Sequence, residues 1–316
     1  SGLSVKLRST TFNKHNPVII FAQFFSSQPA VAPMDFLFSN SKHLVHHLSD
    51  KPVFSTLHYW LVTHPRIVNF TWDRGQTPAS SLLVLFLTVL SYLLLTCLLP
   101  NINIPKINPT LIKSLTVIHN SILLALSIVM PLGSALAVAH VAPNWDYVVC
   151  FPKNTKPEGP LFFWSYVFYL SKILEYIDTL LIIMSKSMRR LSFLHVYHHA
   201  MVVVMCYISL ETSQSMFHGV LIVNALVHVF MYLYYLLCAL GIRPKWKKMV
   251  TDCQIMQFLS SFGTVAWIFY YHFNGSGCSG IWGWCFDLVF IGTLLVMFID
   301  FHSKNYSNKN KVIKEA

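Results

Sequence analysis

From Ser81 to Leu99 the chain carries no charge at all. A helix needs about 20 mainly apolar residues to cross the hydrocarbon core of a bilayer. Backbone polar groups have no water to bond there, so such a run must satisfy them internally. Six further segments repeat the pattern. They lie within Leu111–Ala142, which contains Pro131 and Gly133, and at about Leu161–Met184, Leu191–Leu210, Met216–Leu240, Met249–Phe273 and Ile281–Phe301. The glycine-rich Asn274–Gly280 stretch separates the last two as a turn. Proline and glycine inside the second segment predict a kink. Of the 316 residues only 11% are charged, and mean hydropathy is +0.54. A soluble domain carries about 25% charged residues. The sequence therefore predicts an all-α polytopic membrane protein with seven transmembrane helices.

Orientation follows from the loops. With a luminal N-terminus, the cytosolic side collects Lys106 and Lys113; Lys186, Arg189 and Arg190; Arg243, Lys245, Lys247 and Lys248; and Lys304, Lys309, Lys311 and Lys314. The luminal loops hold Lys153 and Lys156, and Arg66 and Arg74 flank the first segment. Basic residues concentrate in cytosolic loops, so the N-terminus is expected in the lumen and the C-terminus in the cytosol. The formal net charge of +11 is then a matter of topology and of anionic CoA-like ligands rather than nucleic acid.

Four regions result. Residues 1–33 hold no Asp or Glu and read as a leader, either an acid-poor transit-like peptide or, as the preferred reading, a stretch that is not native, with Met34 as the natural start. Residues 34–80 form an N-terminal luminal or interfacial segment, 81–301 the seven-helix domain and 302–316 a basic cytosolic tail. The seven cysteines include no CxxC pair, which argues against a thiolate metal site. Cys150 and Cys278 both fall in luminal loops, where an oxidising compartment permits a disulfide. Two free thiols, or a bond from Cys285, remain alternatives.

Charged residues inside spans are costly and generally face a partner or an aqueous cavity. In the third segment, Lys172, Glu175, Asp178 and Thr179 share one helical face. In the fourth, His195, His198 and His199 stand at i, i+3 and i+4. In the fifth, Asn224, His228, Met231 and Tyr235 line up with Tyr232 beside them, and the sixth stacks Thr251, Gln254 and Gln257. Four consecutive segments thus aim polar stripes at one chamber, nearer the cytosolic side. Segments one, two and seven lack such stripes, and His119 and Asn120 read as isolated structural residues. A second copy of the histidine spelling, His43–His47, has no neighbouring partners and reads as a coincidence.

Three chemistries compete. A membrane di-iron desaturase or hydroxylase also uses an HxxHH box, but two irons need about eight imidazoles. Only His195, His198, His199 and His228 qualify here. A seven-helix transporter or receptor fits the topology, which is weak ground for function. An acyltransferase fits the imidazoles, since imidazole attacks thioesters to give an acyl-imidazole.

The blocks KILEYIDT (172–179), HVYHH (195–199), NALVHVFMYLYY (224–235) and TDCQIMQ (251–257) resemble, in order and spacing, the signature blocks of the ELO family of very-long-chain fatty acid elongases. The resemblance covers about Thr56–Phe301. It implies a multi-pass enzyme of the endoplasmic reticulum, a 3-oxoacyl-CoA synthase. Such an enzyme condenses acyl-CoA with malonyl-CoA, releasing CO2 and CoA, through an acyl-imidazole on His198. Asn224 and His228 would position malonyl-CoA, and His195 and His199 would orient or protonate. Lys172, Glu175, Asp178, Thr179, Met231, Tyr232, Tyr235, Gln254 and Gln257 would line the chamber. Arg189, Arg190, Arg243, Lys245 and Lys247 would contact CoA phosphates. The resemblance implies no metal and no cofactor beyond the two CoA substrates. It implies membrane lipid as surroundings and the reductases and dehydratase of the elongation cycle as partners. It leaves a homodimer open, and nucleic acid has no part in it.

Overall fold

The Ser81 side chain accepts a hydrogen bond from the Leu83 N–H and so caps the first long helix. In this computed structural model, residues 31–102 and 107–307 are described. Lys106, Lys309, Lys311, Lys314 and most of the expected leader and basic tail lie outside them. All named elements among the described residues are helical. The extended contact is a single bridge between Thr71 and Glu158. Among the described residues three helices precede the bundle: α1 (Val31–Leu48), α2 (Pro52–His58), which runs on through a wide turn at Tyr59–Thr63, and α3 (Pro65–Val68). The bundle consists of α4 (Leu82–Leu98), α5 (Pro109–Val141), α7 (Pro160–Leu174), α8 (Tyr176–Met184), α9 (Phe193–Glu211), α10 (Phe217–Leu240), α11 (Lys247–Asn274) and α12 (Ile281–His302). A short α6 (Trp145–Val149) sits in the connection after α5.

Five of these helices, α4, α5, α9, α10 and α12, are long and apolar enough to cross a membrane. The other two expected spans differ for physical reasons. The third divides at Glu175 into α7 and α8, because the Asp178 N–H bonds the Glu175 carbonyl three residues back and tightens the turn. The sixth, α11, is 28 residues long, but its first turns carry Lys247, Lys248, Thr251, Asp252 and Gln254. The outer faces are apolar: Leu83, Phe86 and Leu94 on α4 and Leu226 and Phe230 on α10 are exposed. Large exposed apolar surface on a bundle marks a lipid-facing molecule.

Inside, Phe168, Tyr169, Val203, Cys206, Leu210, Leu221 and Leu294 form the buried core where α7, α9, α10 and α12 meet. Gly133 on α5 lets the Trp164 ring of α7 lie against its backbone, so that a Cβ there would overlap the ring. The Trp164 indole N–H is held by the Leu61 carbonyl at 2.8 Å. Gly133 therefore serves packing.

The connections before α4, after α5, after α9 and after α11 gather at one end. The Gly159 N–H bonds the Phe70 carbonyl (2.8 Å) and the Trp72 N–H the Pro157 carbonyl (2.9 Å). Ser215 Oγ accepts from the Phe151 N–H and donates to the Ser279 carbonyl. At this end Cys150 and Cys278 are joined by a disulfide, with 4.9 Å between their Cα atoms. The last segment carries no polar stripe but does bury one carboxylate. Asp287 of α12 is buried, and it accepts a 2.7 Å hydrogen bond from the Gln214 amide, whose oxygen accepts one from Ser209.

Candidate active site

The break at Glu175 comes after the 15 residues of α7, roughly 22 Å from its start at 1.5 Å per residue. Here Lys172 and Glu175 are almost wholly buried, with 1% and 2% exposure. The ammonium donates to Glu175 Oε1 at 2.7 Å. His228 of α10 brings its Nδ1 to 3.4 Å from Lys172 Nζ and 3.5 Å from the same Oε1. A proton on either nitrogen thus competes for one carboxylate oxygen. The other, Oε2, faces His199 Nδ1 of α9 at 4.0 Å. Neither of those two atoms has a hydrogen-bond partner. Uncompensated polar atoms are costly in an interior and point to a site adapted to a further group.

One turn along, Thr179 is fully buried and lies 2.8 Å from His195 Nε2 and 3.1 Å from the Tyr92 hydroxyl. The Tyr92 ring stacks on Tyr176 at 4.0 Å. Asp178 is gripped on both oxygens. Tyr232 donates to Oδ2 at 3.0 Å, and His119 Nε2 stands 3.2 Å from Oδ1. His119 is therefore no isolated structural residue, and Tyr92 brings the first span into the site as well. Each is a single polar or amphipathic group in an apolar run, so neither leaves a periodic trace. The one available signal was the rule that a polar group inside a span needs a partner.

The three histidines of α9 divide their contacts. His195 is tied to Thr179 and His199 faces Glu175, with their rings 4.3 Å apart. His198 meets the His199 ring edge-on at 5.2 Å. Asn224 Oδ1 is buried without a hydrogen-bond partner one turn from His228 on α10. Gln254 donates to the Met231 sulfur at 3.6 Å, and Gln257 is buried one turn on. Tyr235 carries Arg190 over its ring at 5.6 Å. Arg189, Arg190, Arg243 and Lys245, on the connections of that end, and Lys247, at the start of α11, are all exposed and lie outside the buried cluster. Among the described residues no group of three or more His, Cys, Asp or Glu side chains takes a metal-holding arrangement. His43 and His47 are exposed on α1.

Residues 77–314 match the GNS1/SUR4 family, ELO. The chain belongs to the ELO family. Its similarity extends to Fatty acid elongase A of Dictyostelium discoideum, 33% identical over 259 residues that cover 79% of this chain and 93% of that protein. Fatty acid elongase 3-like of Arabidopsis thaliana is 26% identical over 278 residues, 83% and 96% of the two chains. Fatty acid elongase 5 of Trypanosoma cruzi is 32% identical over 196 residues, 60% and 74%. Three of the blocks that carry the family resemblance, at 172–179, 195–199 and 224–235, supply the cluster around Glu175, and the fourth packs behind it through Gln254 on Met231. In this ELO protein, α5 adds His119 and α4 adds Tyr92 to them.

Proposed function

We propose that this protein is a fatty acid elongase that condenses a long-chain acyl-CoA with malonyl-CoA. The observation that carries the reading is the convergence of Lys172, Glu175, His199 and His228 in one buried cluster beside His198. An imidazole nitrogen of His198 attacks the acyl thioester carbonyl. The C–S bond breaks and CoA leaves with a proton. Loss of CO2 from malonyl-CoA leaves the electron pair on its C2, so the carbon nucleophile forms without a strong base. That carbon attacks the acyl-imidazole and expels the imidazole, giving 3-oxoacyl-CoA two carbons longer. His195, fixed by Thr179, and His199, facing Glu175, flank the nucleophile. Asn224 and His228 hold the malonyl group, and the dry interior shields the acyl-imidazole from hydrolysis.

The acyl-CoA enters from the end bearing Arg189, Arg190, Arg243, Lys245 and Lys247, whose charges suit CoA phosphates. A groove of about 630 Å³ at that end, lined by Asn108, Lys113, Met184 and Lys186 among others, adds two further cations. The seven rods span the endoplasmic reticulum membrane with the Cys150–Cys278 end in the lumen. This placement is supported by the oxidised cysteines and by the basic loops opposite. The product is a substrate for the reductases and dehydratase of the elongation cycle.

The test is malonyl-CoA-dependent elongation by purified protein. His198→Ala is expected to abolish it. Wild-type protein given acyl-CoA alone should carry the acyl group on the tryptic peptide containing His198. Elongation retained by His198→Ala sinks the nucleophile assignment. Loss of activity on iron chelation favours the desaturase chemistry instead.

A further inference from the structure

The sequence contains three Asn-X-Ser/Thr triplets in which X is not proline: Asn69-Phe70-Thr71, Asn274-Gly275-Ser276 and Asn305-Tyr306-Ser307. We propose that Asn69 is an N-linked glycosylation site and that the other two stay bare. Such a triplet alone is a weak signal, and what separates the three is their place in the fold.

Asn69 belongs to the disulfide-bearing end. Its neighbour Phe70 accepts from the Gly159 N–H, and Trp72 donates to Pro157 in the same connection that carries Cys150. A disulfide forms in an oxidising compartment, and oligosaccharide transfer from a lipid carrier takes place in the same lumen. The proposal thus rests on the luminal orientation given above, for which the disulfide and the loop charges are separate supports. Asn69 ends the short α3 with its side chain exposed, and Thr71 is exposed too. Twelve residues separate Asn69 from Leu82, where the first bundle helix begins. That length of chain lets the triplet reach a membrane-bound transferase before the segment folds.

Asn274 is at the same end but is the last residue of α11. Its amide donates to the Tyr270 carbonyl at 2.9 Å. A six-residue turn, closed by Cys278, leads straight into α12. The triplet is therefore held at the bilayer surface. Asn305 lies beyond α12, at the opposite end.

The donor is an oligosaccharide on a lipid pyrophosphate. The Asn69 amide nitrogen forms the bond to the anomeric carbon as the bond from that carbon to the pyrophosphate oxygen breaks. Lipid pyrophosphate leaves, and the amide proton passes to a base of the transferase.

The experiment uses the full chain expressed in eukaryotic cells and compares gel mobility before and after peptide-N-glycosidase. One glycan's shift is expected in wild type. Asn69→Gln and Thr71→Ala should lose it, and Thr71→Ser should keep it. Asn274→Gln and Asn305→Gln should leave it unchanged. Wild-type protein with no shift overturns the Asn69 site, while protease protection of the two ends judges the orientation separately. A shift lost in Asn274→Gln overturns the assignment of the site. A shift lost in Asn305→Gln overturns both the site and the orientation.

Discussion

Lys172 and Glu175 set the energetic terms of the buried cluster. Removing one partner of a buried ion pair typically costs about 3–5 kcal/mol, because the other charge stays behind without compensation. Lys172→Met should therefore lower the thermal stability of the detergent-solubilised protein markedly. The double variant Lys172→Met/Glu175→Leu should recover much of that loss without recovering elongation. Equal destabilisation in the single and double variants would show that the pair is not what holds this region. His119 makes the complementary case. A hydrogen bond to a charged group is worth roughly 1.5–3 kcal/mol of stability, so His119→Leu should lower Tm. His119→Gln, whose amide nitrogen reaches toward Asp178, should restore most of that loss. A His119→Leu protein with wild-type Tm would show that the contact with Asp178 does not hold α5 to α8. Most of the cluster was legible because Lys172, Glu175 and Asp178, and likewise the α9 histidines, recur at helical spacing. His119 was not, because its partner lies 59 residues away and no local period encodes that contact.

Elements show a different limit. Helix ends at Ser81, Phe193, Leu240 and Ile281 follow closely from where apolar runs meet caps and turns. The division of the third span at Glu175 does not, since the i, i+3 pattern runs across it and only backbone bonding reveals the tight turn. Pro131 and Gly133 together suggest a bend in α5, and the structure adds a contact that the sequence does not show, the Trp164 ring of α7 against Gly133. Because the Leu61 carbonyl fixes that ring, a side chain at Gly133 cannot displace it freely. Gly133→Leu should cost about 1–3 kcal/mol of overpacking, read as a lowered Tm. Gly133→Leu/Trp164→Ala should be less destabilised than Trp164→Ala alone, because the new side chain fills part of the space the ring leaves. Additive losses in that pair would separate the two positions. The Asp287–Gln214 bond ties α12 to the turn after α9. Asp287→Asn keeps an acceptor for the Gln214 amide and should be nearly neutral in Tm. Asp287→Leu leaves that amide unsatisfied and should cost about 1–3 kcal/mol.

For the whole molecule, one end carries the cross-link and the other the more basic loops. The disulfide joins positions 128 residues apart and fastens the connection after α5 to the turn between α11 and α12. A disulfide typically stabilises a fold by about 2–4 kcal/mol, in the chain-entropy account by restricting the unfolded chain. Cys150→Ser and Cys278→Ser should therefore lower Tm by similar amounts. The double variant should be no worse than either single, since each single already removes the bond. Neither cysteine touches the buried cluster around Glu175, so the variants should elongate at close to the wild-type rate below their Tm. The same end-to-end difference makes orientation measurable. In sealed microsomes, external protease should remove a tag placed after Ala316 and spare one inserted near Asp50. If the tag near Asp50 were digested instead, Cys150 and Cys278 would face the reducing cytosol. The bond between them, the luminal placement and the cytosolic entry for CoA would then have to be abandoned together.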